Sequence, residues 1–412
     1  MAIKRIYPIG AEIFKTGVHF RVWAPDHKKV HLILEDGTKI LHRLPLNREK
    51  NGYFSLATKE ATAGTLYRFQ LSGSDSLFAD PASRYQPLGP FGPSSVINPN
   101  FAWTDRSWKG IGPKGHVAYE MHIGTFTEKG TFESAMEQLP RLADLGITLL
   151  EIMPLNDFPG HFGWGYDGVN LFSPCHLYGT PQDLKRFINK AHSLGLGVLL
   201  DVVYNHLGAE GNHMTSFSKR YLSETFNTDW GPAINFDDPD SRLFFLTNAD
   251  YWIREYHFDG LRIDAAQVIF SSTEIHILKE ITQTVKKAGV KRKTITIGEN
   301  ERQDTKLLRS YDEGGYGFDM MWNDDFHHTA LVRLTGNREA YYTDYLGTPQ
   351  EFISSLKYGY LFQGQYYKWQ KNERGTSDLA IPRHAMMIFL ENHDQIANSG
   401  HGLRVHERSH PG

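Results

Sequence analysis

The spacing of apolar and polar positions changes near residue 116. Before it, the runs "GVHFRVWAP" (17–25), "KVHLILEDG" (29–37), "GYFSLAT" (52–58) and "TLYRFQLSG" (65–73) alternate in part, bounded by Gly, Pro, Asp and Asn. A period of two between turn residues marks half-buried strands. It predicts a small β-sandwich over residues 1–100. The stretch "DPASRYQPLGPFGPSSVINPN" (80–100), rich in Pro, Gly and Ser, reads as an ordered linker.

After residue 116 short apolar runs take turns with segments of helical period. The strand-like runs are "HVAYEMHI" (116–123), "ITLLEIMPL" (147–155), "LGVLLDVVYNH" (196–206), "GLRIDA" (260–265), "KTITIGEN" (293–300), "GFDMMWN" (317–323) and "HAMMIFLENHD" (384–394). Helices are expected at 131–146, 180–195, 241–256 and 272–289. Thr131 and Thr180 stand at N-cap positions, Pro181 at the first helical position, and Gly146 and Gly195 at the ends. Strand runs without strict alternation are buried on both faces, so the sheet is parallel. Repeated βα units of this length predict a TIM (β/α)8-type barrel over residues 101–412. A doubly wound sheet is the alternative, but no GxGxxG follows the first strand. After the seventh strand, "QIANSGHGLRVHERSHPG" is too short for the rest of such a barrel. The expectation is an incomplete barrel, with strand eight missing, cut from a longer coding sequence.

Composition narrows the class. Hydrophobic residues make up 40% of the 412 and charged residues 22%, with a net charge of -3. That balance is globular and offers no basic surface for nucleic acid. No apolar run approaches a membrane span and the start has no apolar h-region, so a cytoplasmic protein is expected. The single cysteine, Cys175, excludes an internal disulfide. Twenty histidines show no HExxH spacing, and no dense Asp/Asn loop suggests calcium. Neither a metal nor a cofactor is expected.

The candidate chemistry sits at strand ends. The third strand ends with Asp201, Asn205 and His206, the fourth with Arg262 and Asp264, the fifth with Glu299 and the seventh with His393 and Asp394. In a (β/α)8 barrel these ends converge on one mouth. A single carboxylate there is ordinarily a helix cap or salt-bridge partner. Three, with an arginine and two histidines, point instead to glycoside chemistry: one ionised carboxylate attacks an anomeric carbon and one carboxyl of raised pKa protonates the leaving oxygen. Arg262 is expected to keep Asp264 ionised. Glu299, with no basic neighbour in "ITIGEN", suits the proton donor.

In that order and spacing, "DVVYNH", "GLRIDA", "IGEN" and "ENHD" resemble the four signature regions of the α-amylase family of glycoside hydrolases. Longer segments resemble its maltooligosyltrehalose trehalohydrolase branch: "DPASRYQPLGPFGPSSV" (80–96), "YEMHIGTFTEKGTF" (119–132), "FPGHFGWGYDGV" (158–169), "REYHFDGLRIDA" (254–265), "WNDDFHH" (322–328) and "FLENHDQIANS" (389–399). The resemblance implies Asp264 as nucleophile, Glu299 as general acid and base, and Asp394 as transition-state stabiliser. It implies that Arg262, His206 and His393 hold the sugar, that Tyr166 stacks on it and that Asp201 braces Arg262. Gln267, Gln395 and Asn398 are expected at the substrate, together with a loop of Asp324, Asp325, Phe326, His327 and His328. The implied substrate is maltooligosyltrehalose, made by a partner maltooligosyltrehalose synthase. Retention implies nucleophile and acid carboxyls about 5–5.5 Å apart. The rival readings are a glycogen branching enzyme and a non-catalytic glycan-binding barrel.

Overall fold

The computed structural model describes residues 4–377 and 380–409. The N-terminal region folds as two antiparallel sheets. One contains Gly10–Phe14, Gly17–Trp23, Tyr53–Thr58 and Asn47–Arg48, the other Ile40–Pro45, Val30–Glu35, Leu66–Leu71 and Leu77–Phe78. Alternation along Gly17–Trp23 turns Val18, Phe20 and Val22 into the core, against Leu32, Leu34 and Phe69 of the facing sheet. Phe217, far along the chain, completes this core, with its ring 6.2 Å from Phe69 and 6.1 Å from Phe78. The sandwich is thus packed on the second region, and Tyr53 Oη donates to Asp240 at 2.8 Å across the same join.

The second region is a parallel sheet of seven strands in chain order. They are β1 (Ala118–Met121), β2 (Leu149–Ile152), β3 (Gly197–Val202), β4 (Gly260–Ile263), β5 (Ile295–Gly298), β6 (Met320–Trp322) and β7 (Met386–Met387). Strands β2 to β5 are buried throughout, the signature of a sheet covered on both faces. The inner face packs Leu149, Leu199, Ile295, Ile297 and Trp322 together. On the outer face lie α1 (Phe132–Asp144), α2 (Pro181–Ser193), α3 (Pro239–Glu255) and α4 (Ile277–Gly289). Among the described residues β1 and β7 do not pair with each other. A cleft of about 400 Å3, lined by Val117, Ala118, Met386, Met387 and Phe389, lies where an eighth strand would close the barrel. No helix among the described residues is long and apolar enough to cross a membrane.

Thr131 and Thr180 close capping boxes at the starts of α1 and α2, as their positions predict. Elsewhere the boundaries move for local reasons. Helix α3 begins at Pro239 because Asp238 accepts the N–H groups of Asp240 and Ser241 at 2.9 and 3.1 Å. Helix α4 begins at Ile277 rather than 272. Ser272 N–H is taken by Asp237 at 2.8 Å and Thr273 Oγ1 by Arg242 at 3.1 Å, bonds that compete with a helical turn. The seventh strand is two residues long, not the run 384–394. Within the same run Asn392 caps the short helix His393–Ala397, accepting Asp394 N–H at 3.0 Å while Gln395 Oε1 accepts Asn392 N–H at 3.0 Å.

At the foot of the sheet, His192 donates to two carboxylates, Asp105 at 2.9 Å and Asp259 at 3.0 Å, and Trp108 Nε1 donates to Asp259 at 2.7 Å. Burial alone would lower the His192 pKa; the two carboxylates outweigh it and hold the pKa above the usual value. A raised pKa contributes stability that is complete below about 6.5, the unfolded value, and is lost as pH rises through the folded value. Asp105 has the opposite shift. Its two histidine partners outweigh burial and lower its pKa, so its contribution is lost as acid protonates it. Replacing His192 with Gln is expected to cost about 1–3 kcal/mol at pH 6. In urea unfolding the cost should shrink as pH rises above the His192 pKa; a cost independent of pH would contradict the charged pairing.

Candidate active site

Asp201 and Arg262 are register partners on β3 and β4, so their side chains stand side by side on the inner face. Arg262 is fully buried. Its Nη1 donates to both oxygens of Asp201 at 3.0 and 3.0 Å and to Asp264 Oδ1 at 2.6 Å; its Nη2 donates to Glu299 Oε2 at 2.9 Å. The guanidinium carbon lies 4.2 Å from the Trp322 ring centre. One cation therefore organises three carboxylates from three strands.

Asp264 lies one residue beyond β4, with its N–H on Val202 O at 3.1 Å. Asn205 Nδ2 donates to its Oδ2 at 2.7 Å. Burial would raise the Asp264 pKa, but the Arg262 charge and the Asn205 hydrogen bond outweigh it, and the carboxyl is held below the usual range. The chain then turns through Ala265, a left-handed residue at φ +40°, ψ +53°. That geometry is strained for a residue with a Cβ, and it aims Ala265 N–H at Glu299 Oε2, 2.8 Å away.

Glu299 follows β5 and shifts the other way. Burial, together with the neighbouring carboxylates Asp264 and Asp394, pushes its pKa well above the carboxylate range in spite of Arg262. Charge counting supports this direction. Asp201, Asp264 and Glu299 share one guanidinium, and Asp394 adds its charge beside Glu299, so not all can be ionised at low cost. No basic residue precedes Glu299 in "ITIGEN", but Arg262 touches it through space, and the raised pKa comes from burial and carboxylate crowding. Asp201, which braces Arg262 as expected, is itself pushed up to about 6 by burial.

Tyr166 and the two histidines line the same mouth. Gly165, at φ +88°, lets the loop pass where a Cβ would lie 2.2 Å from Pro154 O, and so delivers Tyr166. Tyr166 Oη donates to Asp201 Oδ2 at 2.6 Å and its ring stacks on His393, centres 4.7 Å apart and 20° between planes. His206 bonds Tyr166 O through Nε2 at 2.7 Å and stacks on exposed Trp230 at 4.3 Å. Asp394 is the most open of the acids, its side chain 42% exposed against 13% for Asp264 and 18% for Glu299.

A polar pocket of about 200 Å3 adjoins this group. Glu299, Asp394, Gln267, Gln395 and Asn398 line it; Asp324 and His328 enter it from β6's far end. "DDFHH" is not a loop but the start of helix α5 (Asp324–Thr335), capped by Asn323. At helical spacing residues three or four apart share a face, and here the pair four apart, Asp324 and His328, lines the pocket. Asp324 and His328 therefore reach the pocket, while Asp325, Phe326 and His327 turn into the protein. Asp325 is fully buried, accepting Tyr345 Oη at 2.6 Å and two backbone N–H groups at 2.7 and 2.9 Å. Phe326 packs on Phe352 at 5.9 Å, and His327 bonds Leu390 O at 2.7 Å while stacking on Phe389. Those three do not line the pocket.

The sequence reading overlooked Asn205's grip on Asp264, Trp322 beneath Arg262, and the inner-face acids Glu120 and Glu151. Alternation within "YEM" and "LLEI" places both acids on the face of Asp201, a signal that was available. Away from this site, Asp157, Cys175 and His176 bring possible metal ligands within 4.8 Å of one another. Asp157 and His176 already share a 3.0 Å hydrogen bond.

A strand-ordered parallel sheet with these acids at its mouth, behind a β-sandwich, is the architecture of the α-amylase class of glycoside hydrolases. Residues 97–231 match the alpha amylase catalytic domain and residues 8–85 match carbohydrate-binding module 48, the isoamylase N-terminal domain. The chain is 39% identical over 401 residues to the malto-oligosyltrehalose trehalohydrolase of Saccharolobus solfataricus, covering 96% of this chain and 69% of that protein. It is 36% identical over 395 residues to the enzyme of that name from Deinococcus radiodurans, covering 95% and 63%. A crystal structure described as an alpha amylase from Salmonella typhimurium superposes with a TM-score of 0.91 at 38% identity, over 98% of this chain and 69% of that one. The chain belongs to the malto-oligosyltrehalose trehalohydrolase family, and it spans about two thirds of the length of these relatives.

Proposed function

We propose that this protein hydrolyses, with retention, the α-1,4 bond next to the terminal trehalose unit of maltooligosyltrehalose, releasing α,α-trehalose. The observation that carries the chemistry is the shared guanidinium: Asp264 and Glu299 sit on the two terminal nitrogens of Arg262 with opposite pKa shifts. Such a pair separates nucleophile from acid. Two carboxylates on one guanidinium also suit the close spacing that retention requires.

Asp264 attacks the anomeric carbon as Glu299 protonates the glycosidic oxygen. The bond to the trehalose unit breaks and an ester to Asp264 forms. Glu299, now ionised, takes a proton from water as that water opens the ester, and Asp264 is regenerated. Asp394, open to the cleft, accepts sugar hydroxyls. Arg262, His206 and His393 hold the ring, which lies on Tyr166, and Gln267, Asp324, His328, Gln395 and Asn398 face the rest of the substrate. The scheme uses no metal or cofactor. We assign the sandwich to residues 1–100 and the catalytic barrel to 101–412. The supplying partner would be a maltooligosyltrehalose synthase in the cytoplasm, with no nucleic acid or membrane involved.

Incubation with maltooligosyltrehalose should release free trehalose, and amylose should gain no α-1,6 branches. Branches without trehalose would replace this reading with a branching enzyme. No product from either would leave a glycan-binding barrel. The pH profile of kcat/KM should be bell-shaped. It falls on the acid side as Asp264, lowered below the usual range, takes up a proton, and on the alkaline side as Glu299, raised above it, loses one. A basic limb that survives Glu299→Gln would remove Glu299 from the acid role.

A further inference from the structure

Among the described residues β1 and β7 are the two end strands of the sheet, and one carboxylate ties the first to the segment that follows the second. Glu120 lies in β1. Its Oε2 accepts the backbone N–H of His393 at 2.9 Å and its Oε1 accepts ring Nδ1 at 2.7 Å. A single side chain thus fixes both the peptide and the imidazole of a residue far away in sequence. The ring has no room to turn. It is 6% exposed, stacked on Tyr166, and edge-on to Trp164 at 5.7 Å. Its other nitrogen, Nε2, lies 3.6 Å from Asp394 Oδ1. A buried ion pair is a poor source of net stability, so its geometry tells more than its energy.

We propose that Glu120 is a positioning residue: it holds His393 with Nδ1–H on its own carboxylate, so that Nε2–H is the group presented beside Asp394 to the glucosyl unit at the cleavage point. This rests on the assignment of Asp264, Glu299 and Asp394 given above. The ionisable groups facing the ring are Glu120 and Glu151 from β1 and β2, Tyr166 from its loop, Asp201 from β3, Arg262 from β4, and Asp394. Burial works against a charged imidazole, and the hydrogen bond to Glu120 outweighs it, raising the His393 pKa. Glu151 is the register partner of Glu120, and its Oε1 has no hydrogen-bond partner among the described residues. Burial beside Glu120 pushes its pKa up to about 8. At neutral pH Glu151 is therefore largely the neutral acid. Of the two neighbouring acids, Glu120 is the one that touches His393 and pulls its pKa up.

The test is the ring titration of His393, followed by 15N NMR in the wild-type chain and in Glu120→Gln. The variant keeps the shape and loses the charge, so the His393 pKa should fall by about one unit or more. An unchanged pKa overturns the proposal. Glu151→Gln removes no charge at neutral pH and should leave the titration in place; an equal fall there also overturns it. Should Glu120→Gln fail to fold, Glu120→Asp keeps the charge but withdraws it by one methylene. A smaller fall in the same direction is then expected, and no fall overturns the proposal. On maltooligosyltrehalose, Glu120→Gln should lower kcat about 10- to 100-fold with KM changed by no more than roughly threefold. Full kcat overturns the assignment. If the wild-type chain releases no trehalose, the hydrolase reading fails, while the ring titration still decides whether Glu120 sets His393.

Discussion

Asp264→Asn should reduce trehalose release by roughly four powers of ten or more while the protein stays folded. The amide has nearly the shape of the carboxylate, but its oxygen is a poor nucleophile and forms no ester that water can open. Folding should not suffer. Asp264 is one of three carboxylates on one guanidinium; the amide oxygen can still accept from Arg262, and Asp201 and Glu299 keep the cation paired. Thermal unfolding should therefore move by about 1 kcal/mol or less. Activity lost with stability kept is the signature of a group that reacts. Stability lost with activity in proportion would instead make Asp264 a structural partner of Arg262, and turnover left unchanged would end its role.

Arg262→Met should give the reverse pattern. Met matches the length of the buried stem, but Asp201, Asp264 and Glu299 would lose the cation that all three share. Removing one partner of a buried ion pair costs about 3–5 kcal/mol, because the charge left behind has no water to solvate it. The lost Trp322 contact adds to that. The penalty should depend on pH in a fixed sense. Without Arg262 the folded-state pKa values of the three acids rise. The variant then gains stability relative to wild type as pH falls and the acids become neutral. Urea unfolding at pH 8 and pH 5 checks this. A loss equal at both values would mean that packing, not charge, is what Arg262 provides.

The two results are linked through the backbone. Arg262 reaches all three acids because β3, β4 and β5 run parallel and in register, with Asp201 opposite Arg262 and Arg262 opposite Ile297. Parallel strands end on the same side, so residues distant in sequence meet without any loop spanning between them.

This geometry was legible in the sequence because it follows from two local signals. Apolar runs such as "VLLDVV" and "TITIG" announce buried parallel strands, and an acid at the end of each announces the mouth. Capping residues did the same for α1 and α2. What could not be read depends on long-range contacts. The two-residue β7 and the short helix capped by Asn392 both lie inside one apolar run that reads as a single strand. In "WNDDFHH" the residue types were informative but the face was not. Only the helix beginning at Asp324 shows that Asp324 and His328 turn to the pocket and that Asp325 fixes Leu361 and Phe362 instead. The clamp of Glu120 on His393 is the extreme case. Alternation places Glu120 on the inner face, but nothing near it in the chain names its partner.

The most direct measurement is to trap the intermediate. A fluorinated glucosyl fluoride, which forms the ester quickly and loses it slowly, is incubated with the protein, and the labelled peptide is found by mass spectrometry after proteolysis. The account predicts a single glucosyl adduct on Asp264. An adduct on Glu299 or Asp394, with Asp264 unmodified, would contradict it.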